Sequence, residues 1–194
     1  MKKLRGYTII ELLVTLALAS FILVAGIPRL SVFFDGNRMV SNTNNFVSAI
    51  QVSRSEAIKR GQRVTMCKSA NADAGTPACT TSGNWEQGWI VFEDVAGDAI
   101  FSAANDTLLR RQPGVDGADT TIRTGSASAP HYISFTSRGV PKTTTGGAQS
   151  GTYRVCDDRG LTNVSGNVVA RGVVLNAAGR VRLSKDATVI GTCP

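Results

Sequence analysis

From Tyr7 to Ile27 the chain is apolar, interrupted only by Thr8, Glu11, Thr15 and Ser20 among small residues. No polar stripe divides this run, so it reads as a helix apolar on every side rather than as one face of a soluble helix. Its twenty residues from Thr8 to Ile27 would extend about 30 Å as a helix, the thickness of a bilayer's hydrocarbon. Gly26 and Pro28 interrupt the run near its end and are expected to kink the helix rather than stop it. Beyond them Phe33, Val40 and Val47 recur every seven residues and Ile50, Ala57 and Ile58 continue the stripe. Asn37, Asn44, Gln51, Arg54 and Lys59 fill the other faces. This predicts an amphipathic helix over 29–60, closed by Gly61. If continuous from Tyr7, the helix would be about 80 Å long, better suited to a filament spine than to a globular core.

After Gly61 the pattern changes to short runs of β type. Predicted strands are Arg63–Cys67, Trp89–Phe92, Leu108–Gln112, Tyr132–Thr136, Thr152–Cys156, Gly172–Leu175 and Arg180–Ser184. Turn-rich stretches lie between them, Ala70–Pro77, Pro113–Gly117 and Thr143–Gly151, the last expected to be a flexible loop. Asn176-Ala177-Ala178-Gly179 joins the last two strands as a hairpin. The fold class is α+β, one long helix laid against a mostly antiparallel sheet.

Charge divides the chain further. Its 194 residues carry a formal net charge of +7, yet residues 64–130 hold four basic and eight acidic residues, and residues 131–194 eight and three. A basic C-terminal third is the footprint expected of a surface for an anionic partner, and also a common feature of solvated surfaces. The single histidine, His131, leaves little room for zinc hydrolases or for triads built on Ser-His or Cys-His, so no enzyme and no cofactor is expected. Four cysteines, Cys67, Cys79, Cys156 and Cys193, lack metal-ligand spacing and read as two disulfides of an exported domain. Of the three possible pairings, Cys67–Cys79 with Cys156–Cys193 is the favoured one: the first closes a local loop and the second staples the C-terminus to the sheet. Glu93, Asp94 and Asp98 have the chemistry for Ca²⁺ but their spacing fits no EF-hand, and Asp157 and Asp158 read as a surface ion cluster with Arg154 and Arg159.

The basic flank Met1-Lys2-Lys3-Leu4-Arg5 would hold the N-terminus in the cytoplasm and place the rest beyond the membrane. Gly6-Tyr7-Thr8-Ile9-Ile10-Glu11-Leu12 resembles the prepilin signal of type IV pilins and type II secretion pseudopilins. The resemblance implies a leader over 1–6 and a prepilin peptidase that cuts after Gly6 and methylates the amine of Tyr7. It also implies that Glu11 neutralises the N-terminal amine of a neighbouring subunit during assembly. A carboxylate in an apolar helix needs such a partner. The implied organisation is a transmembrane and filament helix over 7–28, an amphipathic helix over 29–61 and a β-rich exported head over 62–194.

Ala49–Cys67 and Trp85–Phe92 resemble the FimT/FimU and GspH group of minor pilins and pseudopilins. The implied role is a minor type IV pilin that joins or primes the pilus at its tip, with other major and minor pilins as partners. Its precursor would sit in the bacterial inner membrane with the head in the periplasm. A GspH-type pseudopilin of type II secretion is the alternative. Gly179-Arg180-Val181-Arg182 resembles the GRxR motif by which FimT-type pilins bind DNA in natural transformation, which implies a further alternative, a dedicated DNA receptor. Alternate residues of a strand share a face, so Arg180 and Arg182 would point together, with Lys185 and Arg171 as auxiliaries. The same alternation also describes any half-exposed strand at a sheet edge.

Overall fold

A computed structural model of the protein describes residues 6–115, 117, 119–162 and 165–193, and the side chains of all of these except 24–32. The basic leader residues Lys2, Lys3 and Arg5 lie outside the described residues, as do the side chains of Gly26 and Pro28, where a kink is expected. The chain divides into two compact units, Met1–Asn37 and Arg38–Pro194. One helix, α1 (Ile9–Arg60), contributes to both. Thr8 opens it, its Oγ1 accepting from the Glu11 amide at 3.3 Å. Gly61 closes it at φ 64°, a left-handed conformation that a glycine adopts without strain.

In the second unit, the described residues form eight strands in two four-stranded antiparallel sheets rather than the single expected sheet. The first contains β1 (Val64–Lys68), β2 (Gly88–Glu93), β3 (Thr107–Pro113) and β5 (Tyr132–Phe135), in the order β3-β2-β1-β5. The second contains β4 (Thr121–Ala127), β6 (Gly151–Cys156), β7 (Arg171–Leu175) and β8 (Val181–Ser184), in the order β4-β6-β7-β8. A single-turn helix, α2 (Ala187–Ile190), follows. Seven strands lie where the alternation predicts them. β4, with the sequence Thr-Ile-Arg-Thr-Gly-Ser-Ala, was not predicted, because Ile122 is its one fully buried side chain and an edge strand needs little more.

Alternation sends Val64, Met66, Trp89, Val91, Ile133 and Phe135 from the first sheet into one core with Ile122, Tyr153, Val155, Val173 and Leu175 from the second. The helix supplies Met39, Phe46, Ala49, Ile50 and Ala57. Phe46 stands at the centre, its ring 5.3 Å from those of Trp85, Trp89 and Tyr153, all edge-on. The buried face of α1 keeps Ile50 and Ala57 of the expected stripe but is rotated from the rest of it. Phe33, Val40 and Ile58 are exposed at 62%, 46% and 53%, and Val47 is only half-buried. The seven-residue recurrence marked a neighbouring face, because Asn42, Thr43 and Ser53 lie on the buried one and mask its periodicity. Thr43 and Ser53 satisfy their hydroxyls on the helix's own carbonyls, at 2.7 and 2.8 Å.

The first sheet is buried on its other side as well, where Cys67, Ile90 and Phe92 meet Ala72, Phe101 and Leu108. The outer side of the second sheet is covered only in part, by Ile190 of α2 with Ala170, Leu161 and Val168. The stretch Thr143–Gly151 is tied down rather than loose. Gln149 is buried, accepting from the Ser134 amide at 2.9 Å and donating to the Tyr132 carbonyl at 2.8 Å.

Candidate functional site

Two surfaces carry the residues singled out by sequence. On the first unit, Tyr7, Ile9, Phe21 and Ile22 are 88%, 80%, 74% and 68% exposed, and leucines at 12, 13, 16, 18 and 23 are more than half exposed. Glu11 stands in this apolar surface, sharing a shallow recess with Tyr7, Leu12 and Thr15. Among the described residues it forms no ion pair. Thr15 and Ser20 return their hydroxyls to the Leu12 and Leu16 carbonyls, both at 2.8 Å, so neither leaves a polar group unsatisfied outside water. Among the described residues no helix is long and apolar enough to cross a membrane. The apolar run Thr8–Ile27 passes beyond Leu23, where the description of side chains stops.

The second surface is the β7–β8 hairpin. Asn176 builds its turn. Its amide donates to the Arg180 carbonyl at 3.0 Å, and its Oδ1 accepts from the amides of Ala178 and Arg180 at 3.0 and 2.9 Å. Gly179 takes φ 78°. Val181 and Leu183 pair with Leu175 and Val173 and share their inward side, with Val181 packed on the core and Leu183 half exposed at the margin. Arg182, opposite Val174, takes the outer side, and Arg180 and Lys185 are exposed on either side of the strand. Lys185 immediately precedes Asp186, which caps α2 by accepting from the Thr188 amide at 2.8 Å. That bond and the Thr188 hydroxyl hold the Asp186 carboxyl below its usual range, with a smaller contribution from the Arg182 charge.

Arg171 lies at the Lys185 end of the hairpin, away from Arg180 and the turn. Its Nη1 donates to the carbonyls of Val169 and Ala170 at 2.5 and 3.1 Å. Burial, and the neighbouring Arg159 charge, lower its pKa. Two arginines that sequence reasoning missed do lie near the turn. Arg54 donates from Nη1 to the Gly179 carbonyl at 2.9 Å, and Arg138 is exposed on the turn after β5. Sequence placed Arg54 only among the polar residues beside the apolar stripe of α1, with no sign that it reaches Gly179. Nothing in the sequence could place Arg138.

The remaining candidates are structural. Cys67 bonds to Cys79 and Cys156 to Cys193. Glu93 pairs with Arg60 at 3.0 Å. Asp94 is buried and accepts from the amides of Gly97, Asp98 and Ala99 and from the Thr65 hydroxyl, which occupies its oxygens with the chain's own donors. Asp157 pairs with Arg159, but Arg154 turns away to the Thr192 carbonyl at 2.6 Å, so the expected four-residue ion cluster does not form.

Two crystal structures of the type IV minor pilin FimU of Pseudomonas aeruginosa (strain PAO1) resemble this fold. One aligns at a TM-score of 0.58 and 19% identity, over 84% of this chain and 99% of FimU. The other aligns at 0.53 and 18%, over 79% and 98%. No curated protein sequence matches. The prokaryotic N-terminal methylation motif matches residues 1–27, and the family described as type II transport protein GspH matches residues 42–179. With most of the head covered by that match and a methylation motif before it, the chain belongs to the GspH family of minor pilins and pseudopilins.

Proposed function

We propose that this chain is a minor subunit of a type IV pilus, made as a membrane-anchored precursor and assembled through its N-terminal helix. The inner membrane holds the helix before assembly, with the head in the periplasm. Neighbouring major and minor pilins cover it afterwards, near the pilus tip, where the subunit helps to prime the filament. A prepilin peptidase removes residues 1–6 and methylates the amine of Tyr7, and Glu11 accepts the N-terminal amine of the next subunit. The observation that carries this reading is the surface of α1 from Tyr7 to Leu23, apolar and exposed around one carboxylate. In water such a surface would aggregate, whereas lipid and then packed helices satisfy it.

Mass spectrometry of the full chain, coexpressed with a prepilin peptidase, tests the processing. The product is expected to lack residues 1–6 and to carry one added methyl, and Gly6→Leu is expected to remain uncut. Glu11→Leu is expected to be processed yet absent from sheared filaments. Its normal incorporation would overturn the role of Glu11.

The exposed Arg180 and Arg182 support a second activity at the same tip, sequence-independent binding of DNA phosphates in natural transformation. Binding of a 30-bp duplex by the full chain in detergent is expected to weaken with salt and to fall in the Arg180→Ala, Arg182→Ala double variant. Undiminished binding by that variant would sink the proposal. The family match itself favours one other reading, a pseudopilin of type II secretion. Deleting the gene separates the two, since loss of surface pili supports the pilus and loss of protein secretion the pseudopilus.

A further inference from the structure

Two turns of the same build abut beside the hairpin. In one, the Thr136 amide donates to the Val140 carbonyl at 3.0 Å and the Gly139 amide to the Thr136 carbonyl at 2.7 Å. In the other, Asn176 bonds to Arg180 at 3.0 Å and Gly179 to Asn176 at 2.9 Å. They touch backbone to backbone. A Cβ placed on Gly179 would lie 2.7 Å from the Gly139 carbonyl oxygen, and one on Gly139 would lie 2.6 Å from Ile58 and 3.2 Å from Arg54 Nε. Both glycines also have positive φ, at 71° and 78°, so neither position admits a side chain. The close approach brings together three arginines from segments far apart in sequence. Arg138 projects from the first turn and Arg180 from the second, while Arg54 of α1 clamps the second through the Gly179 carbonyl.

Two open clefts flank the turns. One, of about 420 Å³, is lined by Gln51, Arg54, Ile58, Arg180 and Val181 among others. The other, of about 570 Å³, is lined by Thr136, Ser137, Arg138, Val140 and Lys142. Among the described residues neither has a carboxylate in its lining. Four cations here meet no opposing charge from the lining, whereas Arg182 and Lys185 share their end of the strand with Asp186. An anionic polymer gains most where neighbouring carboxylates do not compete for the same cations.

We infer that the DNA-binding surface is centred on the paired turns, with Arg138 and Arg180 gripping phosphates and Arg54 adding charge while fixing the Gly179 turn, and that Arg182 and Lys185 are peripheral. This rests on the reading of the chain as a DNA binder and changes where on the head the DNA lies.

The test measures fluorescence polarisation of a labelled 30-bp duplex with the full chain in detergent, at 50 and 200 mM NaCl. Arg138→Ala is expected to weaken binding about 3- to 10-fold at low salt and to flatten the log–log salt slope by about 1. Arg138→Lys is expected to restore most of both. Arg54→Gln, which keeps a donor for the Gly179 carbonyl but removes the charge, is expected to lose a similar factor with an unchanged circular dichroism spectrum. Arg182→Ala is expected to lose less than Arg138→Ala, and Arg111→Ala, on the other sheet, nothing. Wild-type binding by Arg138→Ala together with loss in the Arg180→Ala, Arg182→Ala double variant would overturn the paired-turn surface and leave the hairpin as the whole site. No binding by the unmodified chain at 50 mM NaCl would overturn both readings.

Discussion

The two units of this chain meet the same physical demand in opposite ways. In Arg38–Pro194 the large apolar side chains are spent on one another. Phe46, Trp85, Trp89 and Tyr153 are wholly buried in mutual edge-on contact, and both sheets and the helix close over them. In Met1–Asn37 the large apolar residues with described side chains face outward. The first arrangement is complete within the chain. The second leaves an apolar surface uncovered by the chain itself, and in the function proposed above lipid or another helix completes it. Stability of the head is therefore a property of this sequence alone, while the N-terminal unit acquires its stability from its surroundings.

Substitutions of equal chemistry in the two units break or confirm that contrast. Both tryptophans lie in the head core, so their fluorescence reports head unfolding in the full chain in detergent. Phe46→Ala is expected to cost about 3–5 kcal/mol in a guanidinium titration, the cost of removing a buried aromatic that three rings surround. Leu13→Ala, deleting an exposed side chain of the other unit, is expected to move the same midpoint by less than about 0.5 kcal/mol. A loss comparable to that of Phe46→Ala would refute the independence of the head.

The disulfides sharpen the picture at a smaller scale. Cys193→Ser opens a loop with a sequence separation of 37, and Cys79→Ser one with a separation of 12. Chain-entropy arguments put each loss at about 2–4 kcal/mol, with the longer loop the more costly by about 1 kcal/mol. Urea unfolding of the two variants checks the order.

Two subtler effects lie within the core and at its margin. The Tyr153 hydroxyl is buried with no hydrogen-bond partner among the described residues, and burial raises its pKa strongly. Tyr153→Phe is expected to stabilise the head by about 1 kcal/mol, since it removes an unsatisfied polar atom and little volume. His131 is held below its ordinary value of 6.5, first by burial and then by the Lys68 charge. The unfolded chain therefore binds the His131 proton at higher pH than the folded one. Its contribution to stability is full above pH 6.5 and declines as the pH falls through the folded value. His131→Gln is expected to flatten that decline in unfolding midpoints measured from pH 7 to 5.

Much of the fold was legible because its signals are local. Seven strands announced themselves by alternation, and Gly61 ended the helix where a left-handed residue was needed. The face of α1 was not legible. Asn42, Thr43 and Ser53 are polar yet buried, and only packing against Tyr153 and the tryptophans shows why Phe46, rather than Val40 or Val47, is the anchor. The hairpin arginines were legible as a motif, but the motif could not show that Arg171 is occupied by its own carbonyls or that Arg54 reaches Gly179 across 125 positions of sequence.

The sequence by itself determined the division of this protein into an apolar, outward-facing helix and a β-rich head, because hydrophobic period and turn residues act within a few positions of one another. It also determined membership of the GspH family, through the N-terminal motif and the head. The favoured cysteine pairing is the one that forms, whereas tertiary structure alone decided that there are two sheets rather than one and which cations converge on the paired turns. Those outcomes depend on segments distant in sequence coming within a few ångströms, and nothing in the local pattern encodes which of them do.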